Sequence, residues 1–416
     1  MPQVIMAAMP AWGHINPSAP LVRELTDRGI GVTFYATEQF RPLVESTGAE
    51  FRAYPVGAIS PEVIAEATGR GGSAKVVQRI LEATPILLPF LQSRLREEPT
   101  PDAVMFDSNA LWGRMLATSI ARPAVSLMTT IFVGSSAFRA LRARELLPVV
   151  RESVAALPGT LNARHRLRRG AGRGLLPPSP MFPTRGDLTI FPIPEWMQPP
   201  DDRRDTSCHY AGPSIEHGVR TEETDPELAN LLERTNPLVV VSLGTLHAFD
   251  EGFFRSCVDA FSSLPANVLL VVGPNTDPAR LGPTPSNIIV RSVIPQLKVL
   301  RHAAVFVTHG GMNSVLEALH FGVPMVAIPQ QVEQLLIGQA IADRGAGHVL
   351  RHHLGGRDVP PGKVRTAVES LLLDPSYTTS ARSLAATLHT GGGAKLAADR
   401  IERLLLGSGA APNETH

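Results

Sequence analysis

Two cysteines in 416 residues leave sulfur chemistry almost no place in this chain. Cys208 and Cys257 have neither CxxC spacing nor a His-rich neighbourhood, which excludes a disulfide framework and a thiolate zinc site and fits a reducing cytosol. Charge of one sign is not in excess either: 39 Lys and Arg stand against 38 Asp and Glu, a formal net of +1. A general nucleic-acid binder needs a concentrated basic face to displace phosphate counterions, so that class is set aside. No apolar run approaches the ~18 residues of a membrane span. The opening MPQVIMAAMP lacks a basic leader and meets Pro10 before a signal core can form. The expectation is a soluble, cytoplasmic protein with neither membrane nor nucleic acid as partner.

Several catalytic signatures are missing as well. There is no GxSxG elbow, no Walker GxxxxGK[ST] loop and no GxGxxG after the first strand, which removes the motif support for a serine hydrolase, a P-loop enzyme and a dinucleotide oxidoreductase. No DxD triplet is present, so the acidic pair that commonly chelates a divalent ion under a diphosphate is absent, and no metal is expected.

What the chain does have is a two-domain length and an alternating plan. At roughly 150 residues per domain, 416 residues imply two or three cores, with two the economical count, and 44% apolar residues can fill them. Short β-rich runs at 4–10, 31–36, 50–54, 103–107, 124–128 and 188–193 alternate with helical periods, and the second half repeats the theme at 238–244, 267–272, 287–294, 305–308 and 324–328. That alternation predicts an α/β protein with parallel sheets covered by helices. After the first strand a helix is expected with Asn16 as N-cap and Pro17 at its first position. A Pro-, Asp- and Arg-rich stretch without period puts a linker at 215–226, between domains at 1–214 and 227–392. A final amphipathic helix and tail occupy 393–416. Insertions at 60–98 and 133–175 interrupt the first half above the sheet edge, where substrate pockets are commonly shaped. Within the second, RHRLRRGAGR at 164–173 reads as a solvated loop before it reads as a phosphate tract.

The densest chemical signal is FVTHGGMNSVLEALHFGVPMVAIPQQVEQ at 306–334. A buried strand ends at His309, Gly310 and Gly311 turn the backbone, and a helix opens at Asn313 or Ser314. A helix start presents backbone N–H groups and the positive end of its dipole, a site for phosphate oxygens that His309, Asn313 and Ser314 can supplement. Glycine-rich turns alone are weakly specific, and an ordinary strand-to-helix turn competes evenly. For Glu317, spacing alone favours a capping box with Ser314.

Together, residues 292–334, SLGT at 242–245 and GHINP at 13–17 resemble the UDP-glycosyltransferases of small molecules, the macrolide and plant secondary-product type, over nearly the whole chain. The resemblance implies the GT-B fold: two Rossmann-like domains facing a central cleft, acceptor bound by the first and donor by the second, with the C-terminal helix crossing back to the first. It implies Gln296 beside the base, His309, Ser314 and Thr245 on the diphosphate together with the Gly311, Met312 and Asn313 turn, Glu317 on the ribose, and Glu333 with Gln334 on the sugar. Gly13 borders the donor. Two departures stand out. Val293 occupies the position of a uracil-stacking Trp, leaving base contacts to the backbone of Val293 and Ile294, and Glu333 replaces the usual Asp.

His14 and Asp107 form the second constellation. Both follow or close strands of one expected sheet, and strand ends in a parallel sheet project toward one crevice. Taken singly, His14 reads as a structural turn residue and Asp107 as an N-cap for a helix at 109–120. The resemblance matches them to the general base and the acid that orients it. The implied activity is an inverting transfer of a hexose, glucose foremost, from a UDP-sugar to a hydroxyl of a small lipophilic acceptor, without cofactor, by a monomer or homodimer. Trp12 and Phe132 are the candidate acceptor-pocket residues. A sugar-nucleotide isomerase or epimerase on the same fold and a non-catalytic nucleotide-sugar binder are the alternatives.

Overall fold

The computed structural model describes residues 1–408 apart from 135–138, 172, 178–181, 200–205, 216–223, 245–250, 275, 353 and 355–356. It divides into two compact units. One comprises Met1–Phe132, Arg151–Ser214 and His389–His416, the other Val133–Val150 and Ile215–Leu388.

Among the described residues the first unit is organised by seven strands: β1 Gln3–Ala7, β2 Gly31–Ala36, β3 Glu50–Ala53, β4 Ala103–Asp107, β5 Ala124–Leu127, β6 Leu188–Phe191 and β7 Cys208–Tyr210. All pair in parallel, in the order β3-β2-β1-β4-β5-β6-β7. The central strands are near-continuous apolar runs because helices cover both faces. Successive residues serve opposite layers. Val4, Met6, Ala103 and Met105 join a core with Ile15, Val22 and Leu25, whereas Ile5, Ala7, Val104 and Phe106 join another with Trp112 and Leu116.

The second unit repeats the plan with β8 Leu238–Ser242, β9 Asn267–Val271, β10 Ile288–Arg291, β11 Ala303–Thr308, β12 Met325–Ala327 and β13 Gly347–Val349, again all parallel, in the order β10-β9-β8-β11-β12-β13. In each sheet the order reverses beside the unit's first strand: β2 and β4 flank β1, and β9 and β11 flank β8. Ligands of open parallel sheets bind at such switch points, outside the carboxyl ends of the strands. The two parallel α/β sheets are those the alternation predicted.

The C-terminal helix Gly393–Ser408 belongs to the first unit, as expected. Ala397, Ala398 and Ile401 enter the same core as Val4 and Val22. Its entry is tied by Gly393 N–H to the Ala211 carbonyl at 2.8 Å and by Ala394 N–H to Ser214 Oγ at 2.6 Å. Arg28 holds its flank through Asp399 at 2.6 Å and Glu402 at 2.8 Å.

Several expectations are corrected. The first helix runs Trp12–Asp27 with Ala11 as N-cap, so it starts before Asn16 and carries Pro17 and Pro20 inside. The Ala11 carbonyl accepts from His14 N–H at 2.9 Å and Ile15 N–H at 3.0 Å, closing the first turn before Pro17 is reached. Burial of Ile15, Leu21, Val22 and Leu25 carries the helix past both prolines. The basic run at 164–173 ends the helix Ala143–Ala171, where a loop was expected, because Ala163 and Leu167 are buried in the core on Trp112. β7 and β13 were not anticipated. Both are three-residue strands at sheet edges, too short to show a period.

Two segments fall on the other side of the expected partition, 133–150 with the second unit and 389–392 with the first. The former is held by buried Glu145, whose carboxylate and the Ala140 carbonyl accept from Arg351. Burial pushes the Glu145 carboxyl up, but Arg351 and the Arg142 N–H outweigh it and hold it below its ordinary value. The linker expected at 215–226 lies largely outside the described residues, and a helix already begins at Pro226. Both cysteines are free thiols, and burial pushes Cys257 up to about 12, which makes it inert as a nucleophile.

Candidate active site

At the switch point of the first sheet, β1 leads into the helix bearing His14 and β4 ends on Asp107. His14 is in the first turn of that helix and not in a preceding turn, so its side chain starts from a fixed backbone. Its Nδ1 lies 2.7 Å from Oδ2 of Asp107. Asp107 is fully buried, while the His14 side chain keeps 22% of its surface exposed. A buried carboxylate accepts from the Nδ1–H tautomer, which makes Nε2 the basic nitrogen. The other carboxylate oxygen accepts the Asn109 N–H at 2.8 Å. Asp107 does not cap the following helix, Leu111–Ser119, whose N-cap is Ala110 without a side-chain bond. The N-cap reading is thereby overturned, and the carboxylate is directed to the imidazole.

Sequence reasoning missed Thr129. Its hydroxyl lies 3.0 Å from His14 Nδ1 and 3.4 Å from Asp107 Oδ2, and the residue is only 3% exposed. The available signal was a polar residue directly after a buried strand, at the carboxyl edge that His14 and Asp107 share.

In the second unit β11 ends at Thr308, and the helix Met312–His320 begins after a tight turn. Gly310 has φ +85°, a conformation that favours glycine, and a Cβ there would lie 2.9 Å from the Gln334 carbonyl oxygen. Gly311 is the N-cap, with no side chain capping the helix. The positive end of the helix dipole lies at the switch point beside β8. The His309 ring is wedged between Gly244 and Gly311: a Cβ on Gly244 would lie 2.7 Å from its Cε1, and one on Gly311 would collide with its Nε2. Gly311→Ala must therefore turn the imidazole out of place. If His309 supplies one hydrogen bond to a charged phosphate oxygen, worth about 1.5 kcal/mol, UDP affinity falls about tenfold in titration calorimetry. Unchanged affinity removes His309 from the donor site.

Glu317 does not form the capping box that spacing favours. The helix starts at Met312, so Ser314 stands inside its first turn and is not the N-cap. Glu317 is 4% exposed, and its carboxylate instead accepts from Gln296 Nε2 at 2.6 Å, while the same amide donates to Ser314 Oγ at 3.3 Å. Gln296 opens the short helix Gln296–Leu300, just after Val293, 55% exposed, and buried Ile294. Glu333 and Gln334 lie in the first turn of Val332–Ala342, where the buried Gln334 accepts the Gln330 N–H at 2.9 Å through Oε1. The structure thus gathers Gln296, Ser314 and Glu317 into one bonded group and sets Gly310 against Gln334. Met312 and Asn313 open the helix, and Thr245 lies outside the described residues. Gly13 sits in the first turn of the His14 helix, in the first unit.

Of the acceptor candidates, Trp12 is half exposed and packs edge-on against Phe40 at 4.8 Å. Phe132 is buried, its backbone bound on both sides by the Gln198 amide at 2.7 and 2.8 Å and its ring faced by Arg185 at 4.8 Å.

Residues 217–393 match the family model described as UDP-glucoronosyl and UDP-glucosyl transferase. The chain is 30% identical over 403 residues to the NDP-glycosyltransferase YjiC of Bacillus subtilis (strain 168), covering 97% of each. It is 30% identical over 417 residues to the demethyllactenocin mycarosyltransferase of Streptomyces fradiae, covering 97% of this chain and 87% of the relative. Among solved structures, the glycotransferase of kitacinnamycin superposes with a TM-score of 0.79 at 28% identity, over 97% of this chain and all of the other.

Proposed function

The chain belongs to the UDP-glucoronosyl and UDP-glucosyl transferase family, a family of sugar-transferring enzymes with the GT-B fold, and from that premise we propose its reaction. It transfers a hexose, glucose first among the candidates, from a UDP-sugar to a hydroxyl of a small lipophilic natural product, with inversion at the anomeric carbon. The observation that carries this reading is the 2.7 Å contact between His14 Nδ1 and fully buried Asp107 at a switch point.

In the proposed step, Nε2 of His14 takes the acceptor hydroxyl proton as the oxygen attacks the anomeric carbon. The bond from that carbon to the diphosphate oxygen breaks, and the electron pair leaves with the diphosphate. Asp107 fixes the tautomer and stabilises the imidazolium. The helix start after Gly311, with His309, receives the growing negative charge. Glu317, set by Gln296, takes the ribose hydroxyls, and Glu333 with Gln334 faces the sugar. Val293 offers uracil a smaller platform than an aromatic ring. Two names among the similar proteins support the acceptor class, a demethyllactenocin mycarosyltransferase and a glycotransferase of kitacinnamycin. The mycarosyl name also leaves the hexose to experiment. An isomerase working on the nucleotide sugar alone has no use for a base toward an acceptor hydroxyl.

The test is UDP release from UDP-glucose in the presence and absence of an acceptor mixture, with the anomeric configuration of the product read from its proton coupling. Release that ignores the acceptors, or a retained configuration, overturns the proposal. Turnover is also expected to survive excess EDTA. Among the described residues no group of three His, Cys, Asp or Glu is arranged to hold a metal, and the helix start offers the diphosphate backbone N–H donors and the positive end of its dipole. Activity lost to EDTA and restored by magnesium contradicts this. No described helix is long and apolar enough to cross a membrane.

A further inference from the structure

We propose that Thr129 is a positioning residue that, with Asp107, fixes the plane of the His14 ring and the proton on its Nδ1; the proposal rests on His14 being the base. Two oxygens face one nitrogen: Asp107 Oδ2 at 2.7 Å and Thr129 Oγ1 at 3.0 Å. The two oxygens are 3.4 Å apart, beyond a good O–H···O bond, so the stronger engagement of the hydroxyl is with the imidazole. The Nδ1–H is therefore forked between them.

A single carboxylate contact sets the distance of a ring but lets it swing about that bond. His14 has room to swing, since its side chain is 22% exposed. A second oxygen on the same N–H removes that freedom, so that Nε2 meets an incoming hydroxyl in one orientation. Proton transfer needs the base within hydrogen-bond reach and aligned, and turnover is correspondingly sensitive to such alignment.

The backbone makes Thr129 suited to this. It stands two residues past the end of β5, and both neighbouring strand ends are pinned, Met128 N–H to the Ile190 carbonyl at 2.8 Å and Ser108 N–H to the Leu127 carbonyl at 3.0 Å. A β-branched side chain has few rotamers, so the hydroxyl direction follows the pinned strand end. Burial of Thr129 and Asp107 leaves little access for a water to replace a deleted hydroxyl.

Thr129→Val keeps the shape and deletes the oxygen. With saturating UDP-glucose and phenylpropanol as acceptor, kcat is expected to fall about three- to tenfold, the scale of one neutral hydrogen bond. Acceptor KM and UDP affinity should stay within about twofold, because the Thr129 hydroxyl engages Nδ1 of the base, on the opposite side of the ring from Nε2. Nitrophenol, a more acidic acceptor that needs less help from a base, should lose less, and Thr129→Ser should restore kcat. Should the valine variant not fold, Thr129→Ala deletes the same oxygen without adding a methyl group and carries the same expectation. Full turnover in Thr129→Val, with His14→Ala inactive, overturns the role of Thr129 alone. So does an equal loss on both acceptors that serine fails to rescue, which is the mark of a packing defect. If His14→Ala itself retains turnover, the base assignment falls first, and that result is distinct from either.

Discussion

His14→Ala is expected to lower turnover on an aliphatic alcohol by about 10² to 10⁴, the usual contribution of a positioned base, with UDP binding hardly changed. The same variant should lose far less with an acidic phenol, whose proton departs with little assistance. Asp107→Asn is the more informative partner. Its amide oxygen can still accept the Asn109 N–H, which lies 2.8 Å from the native carboxylate, so the local turn is expected to survive. What it loses is the negative charge 2.7 Å from Nδ1, in a site where Asp107 is fully buried and water screens little. The imidazolium then forms without its counter-charge, and the loss should be large on the intact enzyme. On the His14→Ala background the same substitution should cost little more, since residues that act as a unit are strongly non-additive. Stopped assays of the four proteins at saturating donor decide it. Losses that simply multiply, or near-normal turnover by His14→Ala, return His14 to a structural residue at a helix start.

That the pair meets at all was only partly legible in the sequence. The strands ending near both residues were readable from apolar runs, because a strand buried on both faces has little freedom in composition. The parallel sheet followed from the alternation with helices, whereas the order that sets β1 beside β4 is seen only in the structure. What spacing misread was local. Pro17 looks like a helix start, yet the helix opens at Trp12, because burial of its apolar face outweighs two missing N–H donors. Ser314 and Glu317 fit a capping box in register, yet the helix opens at Met312 and Glu317 turns to Gln296, 21 positions earlier in the chain. Thr129 was invisible for a related reason. A threonine after a strand is unremarkable until a fold brings it to a histidine 115 positions away. Side-chain partners across such distances are fixed by sheet order and by where each strand stops, and element ends are the least legible part of a sequence.

UDP-glucose is expected to outperform dTDP-glucose by about one to two powers of ten in kcat/KM, and Glu317 is the residue that makes the difference. Glu317 is 4% exposed and its carboxylate holds Gln296 at 2.6 Å, so it has little water to fall back on when a ligand partner is missing. A carboxylate that accepts from both ribose hydroxyls of uridine keeps its oxygens satisfied. Thymidine lacks the 2′-hydroxyl, and leaving a buried acceptor short of one donor costs about 1 to 3 kcal/mol. That range converts to the stated discrimination at about 1.4 kcal/mol per factor of ten. Glu317→Gln should narrow the gap from the uridine side: an amide has one accepting oxygen where the carboxylate has two, so UDP-glucose loses and dTDP-glucose loses less. Steady-state kinetics with both donors on both proteins is the measurement, with the same hexose in each donor so that Glu333 and Gln334 contribute equally. Equal use of the two donors by the unaltered protein means that Glu317 serves only as the partner of Gln296, holding Ser314 and the helix start in place without reading the ribose.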